Sequence, residues 1–168
     1  FAAMHGATVI VVSGGAAKRD KALGLGASHV IARDADWPTE VRRLTGGRGV
    51  DHVLETVGGA NLGRSLRAVA QGGRVSLIGV IDGGSVEAQA MDFIRSRGVV
   101  QGISVGHRRA LEDMVRAIDA THMQPVIDKV YSFADVPAAF AHLERGAFGK
   151  VVVSMSGPAL LPTADSAP

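Results

Sequence analysis

Ser13, Gly14 and Gly15 close an apolar run, and Lys18 and Arg19 stand in the first turn of the segment that follows. A small hydroxyl and backbone donors beside two cations suit a phosphate group, and no Asp or Glu competes at that strand end. The alternative for Lys18 and Arg19 is a solvated helix face. Arg33, after the next apolar run, is a weaker second cation. Further along, Thr56, Val57 and Gly58, then Gly79 and Val80, then Ser104, Val105 and Gly106, close three more apolar runs. In open α/β sheets ligands lie outside the carboxyl ends of the strands, where glycine lets the backbone approach a flat ring or a ribose. Any one of these glycines also serves an ordinary turn, but their recurrence at successive strand ends favours one shared crevice.

Other chemistries have little support. The histidines at 5, 29, 52, 107, 122 and 142 never fall at the three-to-five spacing of a local metal pair, and there is no cysteine for a thiolate site or a disulfide. The absence of cysteine suits a reducing cytoplasm, which is the expected location. Net charge is +2, the arginine pairs 42–43 and 108–109 are isolated, and only 4% of residues are aromatic, so a nucleic-acid surface is not expected. No apolar run reaches the length of a membrane span, and no membrane partner is expected. Asp51 is expected to satisfy nearby backbone donors, Glu55 to be structural rather than a general base, and His107 to be a loop or helix-start residue rather than a donor to the nicotinamide.

The elements that would position these residues alternate strand and helix, the pattern of a parallel sheet covered on both faces. The β-branched run 7–13 reads as a buried strand, 16–25 as a helix stopped by Gly26, and 28–32 as the next strand. Apolar residues at 37, 41 and 44 give a helix broken by the sequence TGGRG. A strand over 50–57, a helix over 60–70 and strands over 73–81 and 98–105 follow. A helix starting near Arg109, another over 136–144 and a strand over 150–155 complete the series, and 156–168 has the composition of a mobile tail. A boundary is suggested near Gln124 and Pro125, where the alternation changes.

The ordered segments ALGLGASHVI, LTGGRGVDHVLETVGG, SLRAVAQGGRVSLIGV, GISVG and QPVIDKVYSFADVPAAFAHLERGAFGKVVV resemble the medium-chain dehydrogenases, the superfamily of zinc-type alcohol dehydrogenases and quinone reductases. The likeness runs from residue 1 to about 154. It implies a Rossmann-type doubly wound parallel sheet. Residues 1–123 would be a partial dinucleotide-binding domain, and 124–155 a segment returning to the substrate domain. It implies NADP as cofactor, with NAD possible, and places Ser13 and Lys18 at the phosphate-binding positions. Lys150 matches a family cation that approaches the pyrophosphate. Ala32 stands where several relatives carry Tyr against the adenine.

The Gly-x-Gly-x-x-Gly turn and the first strand of such a domain do not occur in the sequence. With strand order 3-2-1-4-5-6, the strands at 7–13 and 50–57 are therefore expected on either side of an absent neighbour, about 10 Å apart and with unpaired inner edges. The chain by itself is expected to be unstable, inactive and unable to hold NADP tightly, since the pyrophosphate loop belongs to the absent turn. The resemblance implies hydride transfer between nicotinamide and an alcohol or aldehyde. A quinone or enoyl reductase without zinc, and a non-catalytic nucleotide-binding fragment, remain alternatives. The sequence names no catalytic or metal-ligating residue, and zinc stays undecided. A small-molecule substrate is expected, with a homodimer formed through the edge strand 98–105.

Overall fold

The computed structural model describes residues 1–155; the tail expected over 156–168 lies outside the described residues. Two compact units divide the chain, one from Phe1 to Val105 and one from Gly106 onward. This division falls before the compositional boundary at 124–125, because helix Arg108–Thr121 clusters with the later residues.

In the first unit, β1 (Ile10–Ser13) runs into helix α1 (Ala16–Gly24) and then β2 (His29–Ala32). Gly15, at φ 71°, makes the turn that starts α1, a backbone conformation that disfavours residues with a Cβ. β1 and β2 pair in parallel, Ile10 opposite His29 through Ser13 opposite Ala32. Helix α2 (Trp37–Leu44) follows with Pro38 in its first turn, where a missing N–H costs nothing. β3 (Val50–Glu55), helix α3 (Asn61–Ala68), β4 (Val69–Leu77), helix α4 (Ala90–Ser96) and β5 (Val99–Gly102) form a second parallel sheet in the order β3-β4-β5. The α/β class and parallel pairing match the expectation. β1 and β3 lie in separate sheets and do not pair, so each has an edge without a ladder partner among the described residues.

Two apolar clusters hold this unit. Ile31, Trp37, Val41 and Ala68 are buried together, with Ile10, Val12 and Val50 packed against them, so α2 fills the space beside strands of both sheets. Leu62, Leu66, Val69 and Val75 form the second cluster under α3. Arg42 ties the two together. Its guanidinium donates to the carbonyls of Arg67 (2.7 Å), Gly47 (2.9 Å), Arg48 (3.3 Å) and Val69 (3.1 Å), satisfying acceptors at a helix end and in the TGGRG turn.

Several expected boundaries shift. The helix expected over 60–70 ends at Ala68, and the strand expected to start at 73 begins at Val69. The sequence QGG is a bulge inside β4, where the register with β3 slips between Val50 and His52. Gly73 is required there, since a Cβ would stand 2.9 Å from the Asp51 carbonyl oxygen. β4 ends at Leu77 rather than 81, because Ile78 and Gly79 turn to donate to the Glu55 carbonyl. Helix α4 had no sequence signal beyond a short polar-apolar mixture. Its Asp92 is buried and accepts from Arg67 at 3.1 Å.

The second unit holds α5 (Arg108–Thr121) and a βαβ motif of β6 (Ile127–Ser132), α6 (Val136–Glu144) and β7 (Lys150–Ser154), whose strands pair in parallel. Asp128 on β6 accepts from the Phe148 N–H at 3.1 Å and faces His142 Nε2 at 3.0 Å, while the Tyr131 hydroxyl meets His142 Nδ1 at 3.1 Å. These contacts pin α6 and the approach to β7 onto β6. No described helix is long and apolar enough to cross a membrane.

Leu66 is 1% exposed at the centre of the second cluster. Leu66→Ala is expected to lower unfolding free energy by about 2 to 5 kcal/mol through lost transfer energy and an unfilled cavity. Urea unfolding followed by circular dichroism measures this, and a loss below about 1 kcal/mol would contradict the packing described.

Candidate functional site

At the carboxyl end of β3 the chain makes a turn organised by one buried carboxylate. Glu55 is 2% exposed, and all its partners are donors. The N–H groups of Val57 (2.9 Å) and Gly58 (3.1 Å) donate to one oxygen, Asn61 Nδ2 (2.8 Å) and the Ser65 hydroxyl to the other. The expectation that Glu55 is structural agrees with this geometry: the carboxylate closes the β3–α3 turn from inside.

The turn sets the floor of the expected crevice. The N–H groups of Ile78 (2.8 Å) and Gly79 (3.1 Å) donate to the Glu55 carbonyl, and Asp82 N–H donates to the Val57 carbonyl at 3.0 Å. The approach is so close that a Cβ on Gly79 would fall 1.7 Å from the Thr56 carbonyl oxygen, and one on Gly58 would fall 2.7 Å from that of Gly79. Thr56, Val57, Gly58, Gly79 and Val80 are thus brought together, and the glycines serve backbone contact between strand ends. The Ile103 N–H extends the same row by donating to Leu77 at 2.9 Å; Ser104 and Val105 follow in an open loop, Val105 being 93% exposed.

A second group forms at the carboxyl ends of β1 and β2. The Ser13 carbonyl accepts from the Arg33 N–H at 3.2 Å and from Arg19 Nη1 at 3.4 Å. The Arg33 guanidinium lies against Gly14, so that a Cβ built there would stand 3.6 Å from an Arg33 Nη. Lys18 sits partly buried in the first turn of α1. Ser13, Gly14 and Arg33 are therefore neighbours, and Arg19 joins them. Of the two cations that the sequence sets in the first turn after Gly15, Arg19 is the one whose contact with the Ser13 carbonyl is seen. Lys150 opens β7 in the second unit, its N–H donating to the Val126 carbonyl at 2.8 Å.

Two other expectations meet the structure differently. Asp51 is exposed; its carboxylate takes a two-pronged contact from Arg48 at 2.5 and 2.9 Å and also accepts from its own backbone N–H. The Arg48 hydrogen bond, and then its charge, hold the Asp51 carboxyl below its usual range. His107 starts α5 as expected, its Nδ1 accepting from the Ala110 N–H at 3.2 Å. A cleft of about 500 Å³ opens between α2, α3 and α4, lined by Asp36, Arg42, Arg67, Asp92 and Arg95 among others, and it includes none of the expected site residues.

The chemistry of the donor set can be tested against a dinucleotide. Around Ser13 and Gly14 the side chains are a hydroxyl and two guanidinium groups, and among the described residues no carboxylate pairs with Arg19 or Arg33. That set fits a phosphate ester and includes no carboxylate to accept from a pair of ribose hydroxyls. Among the described residues no three His, Asp or Glu side chains converge, so they present no ligand set for zinc.

Comparison with known proteins fits this picture. Residues 1–120 match the family model described as zinc-binding dehydrogenase, and the chain belongs to that family, within the medium-chain dehydrogenases. A presumed alcohol dehydrogenase of Sinorhizobium meliloti 1021 superposes with a TM-score of 0.87 at 54% identity, over 92% of this chain and 46% of its own. The zinc-type alcohol dehydrogenase-like protein of Schizosaccharomyces pombe is 31% identical over 92% of this chain and 47% of its own length, so the chain spans about half of such relatives. The named cofactors of relatives differ. The D-arabinose 1-dehydrogenase (NADP(+)) of Saccharolobus solfataricus is 32% identical, over 86% of this chain and 41% of its own. An NAD-dependent alcohol dehydrogenase structure is 30% identical with a TM-score of 0.83, over 92% and 46%.

Glu55→Gln and Glu55→Ala separate charge from occupancy in the β3–α3 turn. With Gln, Ser65 can accept and the Asn61 amide can rotate, so a loss of about 1 to 3 kcal/mol is expected. With Ala, the buried Gly58 N–H and the half-buried Val57 N–H lose their acceptor and a cavity opens, for a loss above about 3 kcal/mol. Denaturant melts measure both; an Ala variant as stable as the parent would remove Glu55 from this role.

Proposed function

We propose that this chain binds NADP for a cytoplasmic oxidoreductase that moves hydride between nicotinamide and an alcohol or aldehyde. The observation that carries the cofactor choice is the pairing of Ser13 and Gly14 with the Arg19 and Arg33 guanidinium groups, with no carboxylate among their contacts. A ribose 2′-phosphate is a dianion, and guanidinium groups bind it through charge-assisted hydrogen bonds, whereas NAD selection uses a carboxylate at this strand end. When bound, NADP supplies the hydride-carrying ring. The work of the residues is positional. Ser13, Lys18 and Arg33 would hold the phosphate end, and the Thr56–Gly58 and Gly79–Val80 turns would line the crevice for the nicotinamide half. Ser104 and Val105 would close the crevice beyond β5.

Lys18→Glu replaces attraction by repulsion, and Arg33→Gln removes a charge. Each is expected to cost NADP about 1.5 to 3 kcal/mol of binding while leaving NAD nearly unchanged. Fluorescence titration with both reduced dinucleotides measures the ratio, and an unaltered NADPH to NADH ratio in both variants would overturn the assignment. Oxidation of NADPH in the presence of aldehydes, quinones and enones then separates the substrate classes; turnover of quinones or enones alone would replace the alcohol dehydrogenase reading.

The oligomer proposed is a homodimer formed through β5. This strand is the edge of its sheet, with Val99 52% exposed beside unpaired backbone. Light scattering is expected to give a dimer mass at micromolar concentration. Val99→Lys, a charge on the edge, is expected to shift it to monomer, and a monomeric parent would end the proposal.

A further inference from the structure

Arg64 has no place in the reading above, yet its guanidinium is engaged on three sides. It projects from α3 to the loop after β2, where Nη2 donates to the Ala35 carbonyl at 2.5 Å and Nη1 to the Arg33 carbonyl at 3.4 Å. Its Cζ lies 5.0 Å from the centroid of the Trp37 ring, which is itself 5% exposed in the core under α2. The planar fork thus binds two carbonyls two residues apart while its face rests on an aromatic ring, an arrangement that the single ammonium of Lys does not reproduce. These contacts fall on the loop that carries Arg33. On its other side the same loop is held by the Arg33 N–H donating to Ser13. Arg64 donates to the backbone of Arg33, not to its side chain, and so fixes the loop while leaving the Arg33 guanidinium against Gly14.

We propose that Arg64 is a positioning residue for dinucleotide selectivity. Clamped between Trp37 and the carbonyls of Arg33 and Ala35, it sets the loop so that the Arg33 guanidinium stands beside Ser13 and Gly14, where a 2′-phosphate would sit. The inference rests on the NADP reading and goes beyond it, because Arg64 itself touches none of the residues expected to bind the phosphate except through the Arg33 carbonyl. Arg19 and Arg33 are like charges gathered at Ser13 and Gly14, so a cation aimed at a common anion needs a backbone that does not relax away from its neighbours. Arg64 supplies that restraint. It also links α3, which starts beside the Glu55-organised turn, to the β1–β2 strand ends.

The test is a double-mutant cycle on the full chain, read as dissociation constants for NADPH and NADH, with Arg64→Lys, Arg33→Gln and the pair. Arg64→Lys keeps the charge and loses the fork; it is expected to weaken NADPH binding about five- to tenfold and NADH binding less than about twofold. In the Arg33→Gln background the same change is expected to have no further effect on NADPH. Hydrogen exchange of the Arg33 N–H in the ligand-free protein gives a second readout, and is expected to speed up in Arg64→Lys. If Arg64→Lys fails to fold, Trp37→Phe, which keeps an aromatic ring in the core, is expected to weaken NADPH selectively by about two- to threefold. Equal loss for both dinucleotides, or an undiminished effect in the Arg33→Gln background, overturns the positioning role while the NADP reading stands. No effect of Arg33→Gln on NADPH overturns the positioning role, and the NADP reading falls with it when Lys18→Glu is silent as well.

Discussion

The buried carboxylate of Glu55 is the constraint on which the first unit depends. A carboxylate with almost no exposure persists only when each lone pair has a donor. Here the donors come from a turn, the start of α3 and its second turn. By gathering them, Glu55 fixes where α3 begins and how sharply the chain leaves β3. The backbone of that turn then meets the end of β4 at a distance only glycine tolerates, so Gly58 and Gly79 follow from the placement of one acidic side chain. Because α3 is fixed, Leu66 enters the core beneath β4 and Arg64 reaches across to the β2 loop.

The cationic group at the ends of β1 and β2 is built on a different principle. None of its side chains is deeply buried, and its order comes from backbone bonds: Arg33 N–H and Arg19 both reach the Ser13 carbonyl. Such a group is electrostatically unfavourable by itself and becomes favourable around an anion. A protein that keeps like charges together needs rigid anchors behind them, and α2 with its buried Trp37 provides one.

Legibility in the sequence followed the range of the responsible interaction. Helix α2 was readable because Trp37, Val41 and Leu44 recur at helical spacing and TGGRG stops it. The start of β4 was not, since QGG has the composition of a turn, and only pairing with β3 converts it to a bulge. Asp51 reads as a backbone acceptor in a strand, while its two-pronged contact with Arg48 depends on how the turn before β3 presents that side chain. β6 was hidden because Asp128, Lys129 and Ser132 dilute its apolar pattern; its pairing with β7 makes it a strand.

The sequence by itself determined the alternation of strands and helices, their parallel class, the glycines at successive strand ends and the excess of positive charge after β1. These are consequences of side-chain periodicity, turn conformations and composition, which act over a few residues. Only the tertiary structure decided which donors serve Glu55, that Arg19 and Arg33 share the Ser13 carbonyl, and that Arg64 grips a loop 31 positions away. Such pairings depend on strand register and on the angle at which helices cross the sheet. A shift of one residue in either would send the same side chains elsewhere without changing a single local pattern.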